Sequence, residues 1–257
     1  MRTNKILTKW QNGEKASGVF LTFPSKEIVE FIGQVGLDYV NLDGEHGSFT
    51  LESIDDHCRI ADIAGVTPTA RVPNIHPSTI LQFLDRGVMG IVGPHIDTME
   101  EAQTLADSCR YYPAGKRSWG AGRGNHYGDP AAITSEELGI PDKTAFMDRC
   151  NNEMIVIAQI ESVESLNNLP EMLTVEGIDA WTFGPNDLAQ SMGYIGQPDH
   201  PEVIKTMAKT DDIIRASGKA VYSDITTGLA INYSILDSLK NYAATGTATP
   251  PDSMAKR

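Results

Sequence analysis

Tyr39-Val40-Asn41-Leu42-Asp43-Gly44-Glu45-His46-Gly47 reads as a strand that stops at a cluster of ionisable side chains. Tyr39 to Leu42 are apolar or strand-tolerant, and Asp43, Glu45 and His46 then arrive within four positions between glycines. In an α/β protein, chemistry sits where a parallel strand ends in a loop that carries polar side chains. Whether this run is such a site or only a solvated turn depends on what the other strands bring to it.

Strand-like and helix-like segments alternate along the rest of the chain. Strands are expected at 18–22, 67–72, 90–93, 154–160, 178–183 and 219–223, in addition to 39–43. Helices are expected at 25–33 with Gly33 as a stop, at 51–64 ending at Gly65, and at 77–86 with Pro77 first and Gly87 beyond. A helix over 98–110 opens on Thr98 with Glu101 three later, a capping box. Further helices are expected at 142–152, 162–169, 187–192, 201–217 and from 223 to about 240. Met154 to Ile160 is a continuous apolar run of the kind buried on both faces of a parallel sheet. This βαβα alternation, with no linker or repeat, implies one α/β domain over residues 1–244 and a polar tail over 245–257.

A barrel fits better than an open doubly wound sheet. Polar residues stand at the ends of several strands: Asp43 to His46, Arg71, Gln159 with Glu161, and Asp187. The loop after the first strand, Thr22-Phe-Pro-Ser25, has no glycine to cradle a phosphate. Gly120-Ala-Gly-Arg-Gly124 resembles a dinucleotide fingerprint but does not follow a strand. It lies in a long polar loop, Tyr111 to Gly128, suited to an active-site lid or a subunit contact.

The chain has 257 residues and a formal net charge of −13, which disfavours nucleic acid and anionic membranes as partners. Three cysteines, Cys58, Cys109 and Cys150, form no C-x-x-C pair and suit reduced thiols. MRTNKILTKWQNGEK carries no apolar leader, and no run reaches the length of a membrane span, so a cytoplasmic location is the expectation. His57, His76 and His200 read as ordinary surface or capping histidines.

Glu161 and Asp187 end successive strands. Two carboxylates without His or Cys describe a hard oxygen-ligand site, suited to Mg²⁺ or Mn²⁺ more than Zn²⁺. The alternative is two helix N-caps. Gln159 shares a face with Glu161 and needs a polar partner there. Arg71 offers five fixed donors to a carboxylate or enolate oxygen. The backbone N–H groups of Gly184-Pro-Asn-Asp187 open a helix and face anions. Such a site can bind a 2-oxo acid and stabilise its enolate.

Asp43-x-Glu45-His46-Gly47, Arg71-Val-Pro, Tyr112-Pro-x-Gly115 with Arg117, Gln159-Ile-Glu161 and Gly184-Pro-x-Asp187-Leu188 occur in this order. Together they resemble the HpcH/HpaI family of metal-dependent pyruvate aldolases, over roughly residues 18–218. The resemblance implies a TIM-like (β/α) barrel. It also implies a class II retro-aldol cleavage of a 4-hydroxy-2-oxo acid to pyruvate and an aldehyde, through a metal-stabilised enolate. It implies Glu161 and Asp187 as ligands of a divalent cation (Mg²⁺, Mn²⁺ or Co²⁺). Gln159, Asn186 and Asp187 would bind the pyruvate moiety, Arg71 the enolate oxygen, and His46 would be the base. Asp85 matches an aspartate that partners the histidine. As Asp85 ends a helix at the far face of its own barrel, that partnership would run between subunits of a homo-oligomer, commonly a hexamer with an exchanged C-terminal helix. Asp43 and Glu45 would orient His46 or bind waters of the metal. Aldehyde preference would lie in the Lys116–Gly128 loop, with Trp119, Arg123 and His126 as candidates.

The chain departs from the family pattern near its end. Gly218-Lys219 looks like the lead into a seventh strand, and Val221 to Asp224 like the end of an eighth. The expectation is seven strands, short of one βα unit of on the order of twenty residues near 218–224. Two alternative functions follow: decarboxylation of oxaloacetate or another lyase reaction on the same enolate, and a catalytically weak barrel serving as a binding or assembly module.

Overall fold

The computed structural model describes residues 3–136 and 139–247. Eight parallel strands form one sheet: β1 (Ala16–Leu21), β2 (Tyr39–Asp43), β3 (Thr67–Arg71), β4 (Gly90–Gly93), β5 (Ile155–Ile160), β6 (Ala180–Phe183), β7 (Ala220–Val221) and β8 (Thr226–Ala230). Their order is β7-β6-β5-β4-β3-β2-β1-β8, a sheet curled into a TIM-like half-barrel with β7 and β8 as its free edges. The helices are α1 (Lys5–Gln11), α2 (Lys26–Gln34), α3 (Leu51–Ala64), α4 (Pro77–Leu84), α5 (Met99–Cys109), α6 (Pro130–Ile133), α7 (Lys143–Asn152), α8 (Val163–Met172), α9 (Pro185–Ser191), α10 (Pro201–Ala216), α11 (Tyr222–Ile225) and α12 (Ile231–Thr245). Among the described residues no helix is long and apolar enough to cross a membrane.

Strand periodicity sorts the side chains into two layers. Val40 and Leu42, Ile91, and Val156, Ala158 and Ile160 face outward and pack with α2 to α5 and α8. Tyr39, Val92, Ile155, Ile157 and Ala180 face inward, where Ile6 and Leu7 of α1 join them. Helix α1, for which the sequence reading made no provision, closes the N-terminal end of the barrel. Its cap Asn4 donates to the carbonyls of Met89 and Glu153 at the starts of β4 and β5. Midway up the interior, Asn41 donates to the Thr69 hydroxyl at 3.0 Å. The next inward positions are Asp43, Arg71 and, on β5, Gln159. Alternation along β2, β3 and β5 thus delivers the polar residues to one end.

The expectation of seven strands is corrected to eight. The chain turns from β7 through the single turn α11 directly into β8, where a continuous helix from 223 was expected. Thr226–Ala230 pairs with Ala16–Phe20 of β1. The sheet does not close at 218–224: β7 pairs with β6 over only Ala220 and Val221 and does not pair with β8, and one turn stands where a full crossover helix would pack. Tyr222 and Ile225 of that turn are buried against the interior cluster.

Two smaller corrections concern local signals. Gly33 does not stop α2; it lies inside the helix, where an added Cβ would stand 2.7 Å from the Ala64 Cβ of α3. His57 is not at the surface. It is 1% exposed, its Nδ1 lies 2.7 Å from the Ser53 carbonyl, and burial lowers its basicity. His76 and His200 do cap α4 and α10. α12 runs to Thr245; the tail beyond residue 247 lies outside the described residues.

Candidate active site

The strand ends converge on a carboxylate-rich cluster. At the end of β2, Asp43 accepts from Arg71 Nε at 3.0 Å and from Arg71 Nη2 at 2.6 Å, a bidentate pair between neighbouring strands. Asp43 also accepts from the backbone N–H groups of Glu45 and His46, which folds the loop back over the strand end. Burial pushes the Asp43 carboxyl up, but Arg71 and these two amides outweigh it and hold it below the ordinary carboxylate value. Arg71 Nη1 reaches Glu45 at 3.2 Å. His46 stands at the rim, its side chain 64% exposed and 4.0 Å from Glu45.

Glu161 follows β5 and is 2% exposed at its side chain. Gln159, one inward position below, donates to Glu161 Oε1 at 3.1 Å. The turn after β6 leaves room for this carboxylate: at Gly184 a Cβ would fall 1.8 Å from Glu161 Oε1. Burial pushes the Glu161 carboxyl above its usual value. The His95 amide and ring pull it back, while the charges of Glu45 and Asp187 push it up again. Asp187, in the first turn of α9, is therefore close enough to Glu161 to be felt.

His95 is the member that sequence reasoning missed. It follows β4 by two residues, its ring Nδ1 lies 3.2 Å from Glu161 Oε2 and its Nε2 3.3 Å from Glu45 Oε1. Its φ of +51° is left-handed, which costs a non-glycine residue about 1–2 kcal/mol. The polar residue after Gly93-Pro94 was a usable signal, masked because β4 itself ends in glycine.

Asp85 is not brought to this cluster within one chain. It caps the C-terminus of α4, at the end of the barrel where the strands begin. Its described partners are Arg117, 3.5 Å away, and the N–H of Gly124. The loop from Lys116 to Gly128 packs there as well, so it is no lid over its own chain's strand ends. Arg117, Arg123 and His126 instead line a cavity of about 390 Å³ with Leu84, Met89 and Met154, away from Glu161 and Arg71. The glycine-rich Gly120–Gly124 stretch wraps the end of α4 and follows no strand.

The cluster sets Asp43, Glu45 and Glu161 around the Arg71 guanidinium, with Asp187 beside Glu161. One buried acceptor in it, Gln159 Oε1, receives no hydrogen bond, and a buried acceptor without a donor costs free energy. A divalent cation would add positive charge among these carboxylates and its waters would supply the missing donor, so these residues fit such a group. Among the described residues no three His, Cys, Asp or Glu converge as ligands. A cation held by Glu161 and Asp187 would leave its other positions to water and substrate oxygens.

A parallel barrel with an acid–arginine cluster at its strand ends has the layout of a TIM-barrel enzyme. Residues 16–249 match the family model for HpcH/HpaI aldolase/citrate lyase, and the chain belongs to that family, as a carbon–carbon lyase. It is 33% identical over 219 residues to a hydroxypyruvate/pyruvate aldolase of Roseobacter denitrificans, covering 84% of this chain and 80% of that one. It is 32% identical over 222 residues to a 4-hydroxy-2-oxo-heptane-1,7-dioate aldolase of Escherichia coli, covering 84% and 79%. Among solved structures it superposes on the citrate synthase SbnG with a TM-score of 0.79 at 26% identity, covering 94% of this chain and 97% of that one.

Proposed function

We propose that the protein is a divalent-metal-dependent aldolase that cleaves a 4-hydroxy-2-oxo acid to pyruvate and an aldehyde. The observation that carries this reading is the convergence of Glu161, Gln159, Arg71 and Glu45 with one buried acceptor, Gln159 Oε1, left without a donor. Glu161 and Asp187 would hold Mg²⁺, Mn²⁺ or Co²⁺. When bound, the cation supplies Lewis acidity at the keto oxygen of the substrate.

The chain's own residues account for the remaining requirements. Arg71 is pinned by Asp43 through Nε and Nη2, and its Nη1, 3.2 Å from Glu45, would be the donor offered to the oxygen that gains charge as the C–C bond breaks. The amide of Gln159 and the backbone of Asn186 and Asp187 would orient the pyruvate carboxylate. His46 would take the proton of the 4-hydroxyl, directly or through a water. Its exposed position at the rim leaves it open to a second subunit, and Asp85, stranded at the opposite end of its own barrel, would reach it from there. Helix α12 supports a homo-oligomer: it buries none of its residues, while Tyr233, Leu236, Leu239 and Tyr242 are exposed. By family resemblance that oligomer would be a hexamer.

The likeness to a citrate synthase keeps a second reading open to test, another lyase reaction on the same enolate such as oxaloacetate decarboxylation. The decisive assay supplies 4-hydroxy-2-oxo acids with each metal and follows pyruvate. Release of pyruvate is expected, abolished by EDTA and reduced at least about 100-fold in His46→Ala. Turnover indifferent to EDTA and to His46 would overturn the reading, and pyruvate from oxaloacetate alone would select the second one.

A further inference from the structure

His95 enters neither the family motifs nor the mechanism above, yet it is tied to the centre of the cluster by three contacts. Its backbone N–H donates to Glu161 Oε2 at 2.8 Å. Its ring Nδ1 faces the same oxygen at 3.2 Å, and its Nε2 faces Glu45 at 3.3 Å. The next residue is locked as well: the Ile96 N–H donates to the Gln159 carbonyl at 3.1 Å. Asp97 accepts from the Ser162 hydroxyl, one residue past Glu161. The segment after β4 therefore grips the end of β5 at each of Gln159, Glu161 and Ser162. A left-handed φ at a histidine persists only where the surroundings determine it, and such residues gather at functional sites. Here the unusual conformation turns both the N–H and the ring toward one carboxylate oxygen.

Groups that hydrogen-bond a metal-ligating side chain fix its orientation, and losing one typically weakens metal binding 10- to 100-fold. We propose that His95 is a positioning residue for the cation site: it holds the Glu161 carboxylate in its binding orientation from Oε2, opposite the Gln159 amide on Oε1, and ties Glu45 into the same arrangement. This rests on the reading of Glu161 as a cation ligand.

The test measures Mn²⁺ affinity directly, by the loss of the free-ion EPR signal on titration into metal-free protein. Wild type, Glu161→Gln, His95→Gly and His95→Asn are compared, with melting curves as the check on folding. Glycine keeps the N–H and accepts the left-handed backbone, so it deletes the ring alone; asparagine tolerates that backbone and restores a donor. The expected result is affinity lost in Glu161→Gln, about 10- to 100-fold weaker in His95→Gly, and intermediate in His95→Asn. Pyruvate release by His95→Gly should fall at low Mn²⁺ and recover at saturating Mn²⁺. Should the glycine variant lose its melting transition, the asparagine variant carries the test, with weakened affinity at a native melting temperature expected. Unchanged or tighter Mn²⁺ binding in the folded His95 variants, with Glu161→Gln impaired, overturns the role of His95 and leaves the metal reading intact. Wild-type affinity in Glu161→Gln overturns the metal reading itself.

Discussion

The wall from β2 to β6 and the seam between β7 and β8 are made by the same chain under different constraints. In the wall each strand is paired on both sides, and alternation places Asp43, Arg71 and Gln159 at the last inward positions. At the seam β7 is two residues long, β8 has β1 as its partner, and a single turn joins them. No described member of the cluster comes from β7, α11 or β8. A barrel can be shortened on one side while its chemistry is carried by the other, provided something plugs the opening. Tyr222 and Ile225 supply that plug.

The contrast can be broken from either side. Arg71→Ala strikes the wall: it removes an oxyanion donor and leaves Asp43 buried without its cation. A fall in kcat of about 10²–10³ is expected, with up to about 3–5 kcal/mol of stability lost, checked by steady-state kinetics and urea denaturation. Gly228→Ala strikes the seam, because a Cβ there would meet the Phe20 ring at 2.0 Å. It should cost about 1–3 kcal/mol, seen as a lower Tm, while kcat of the folded fraction is kept. A catalytic collapse in Gly228→Ala would join the two regions that the structure separates. Tyr39→Phe removes the hydroxyl that donates to the Thr227 carbonyl at 3.1 Å across the β1–β8 edge, a loss of about 1 kcal/mol in thermal or urea unfolding.

The smallest effect is on the acid side. Folding holds Asp43 below its ordinary value, so its ionised form adds stability above the unfolded carboxylate range. That contribution is lost as pH falls through the depressed folded value. Urea midpoints of metal-free protein should therefore drop between roughly pH 5 and pH 2, and this limb should flatten in Asp43→Asn.

Legibility in the sequence follows the same divide. Strand β2, helix α3 and strand β4 fall at the residues expected, because the caps Thr50 and Gly65 and the apolar runs all agree. Gln159 and Glu161 were readable from strand period alone. β8 was not: Thr226-Thr-Gly-Leu-Ala230 carries a glycine where Phe20 needs room and three exposed positions, so it lacks both apolar alternation and length. Gly33 was misread because a glycine needed for close helix packing looks in sequence like one needed for a stop. His95 escaped because polar residues were sought at the strand tip, and here the backbone turns the side chain in from two residues beyond. That Asp85 lies at the other end of the barrel was legible from its place at the end of a helix.

The pairing of β8 with β1 has a consequence for synthesis. Ser17 and Thr227 touch across a sequence separation of 210 residues. Until that distance has been translated, the outer edge of β1 is a bare row of amides and carbonyls, the template that invites pairing with a foreign strand. Contacts so distant along the chain form slowly, and a nascent chain that waits for its last strand is exposed to aggregation throughout. The shortened connection brings β8 off the ribosome sooner than a full βα unit would, and so narrows that interval.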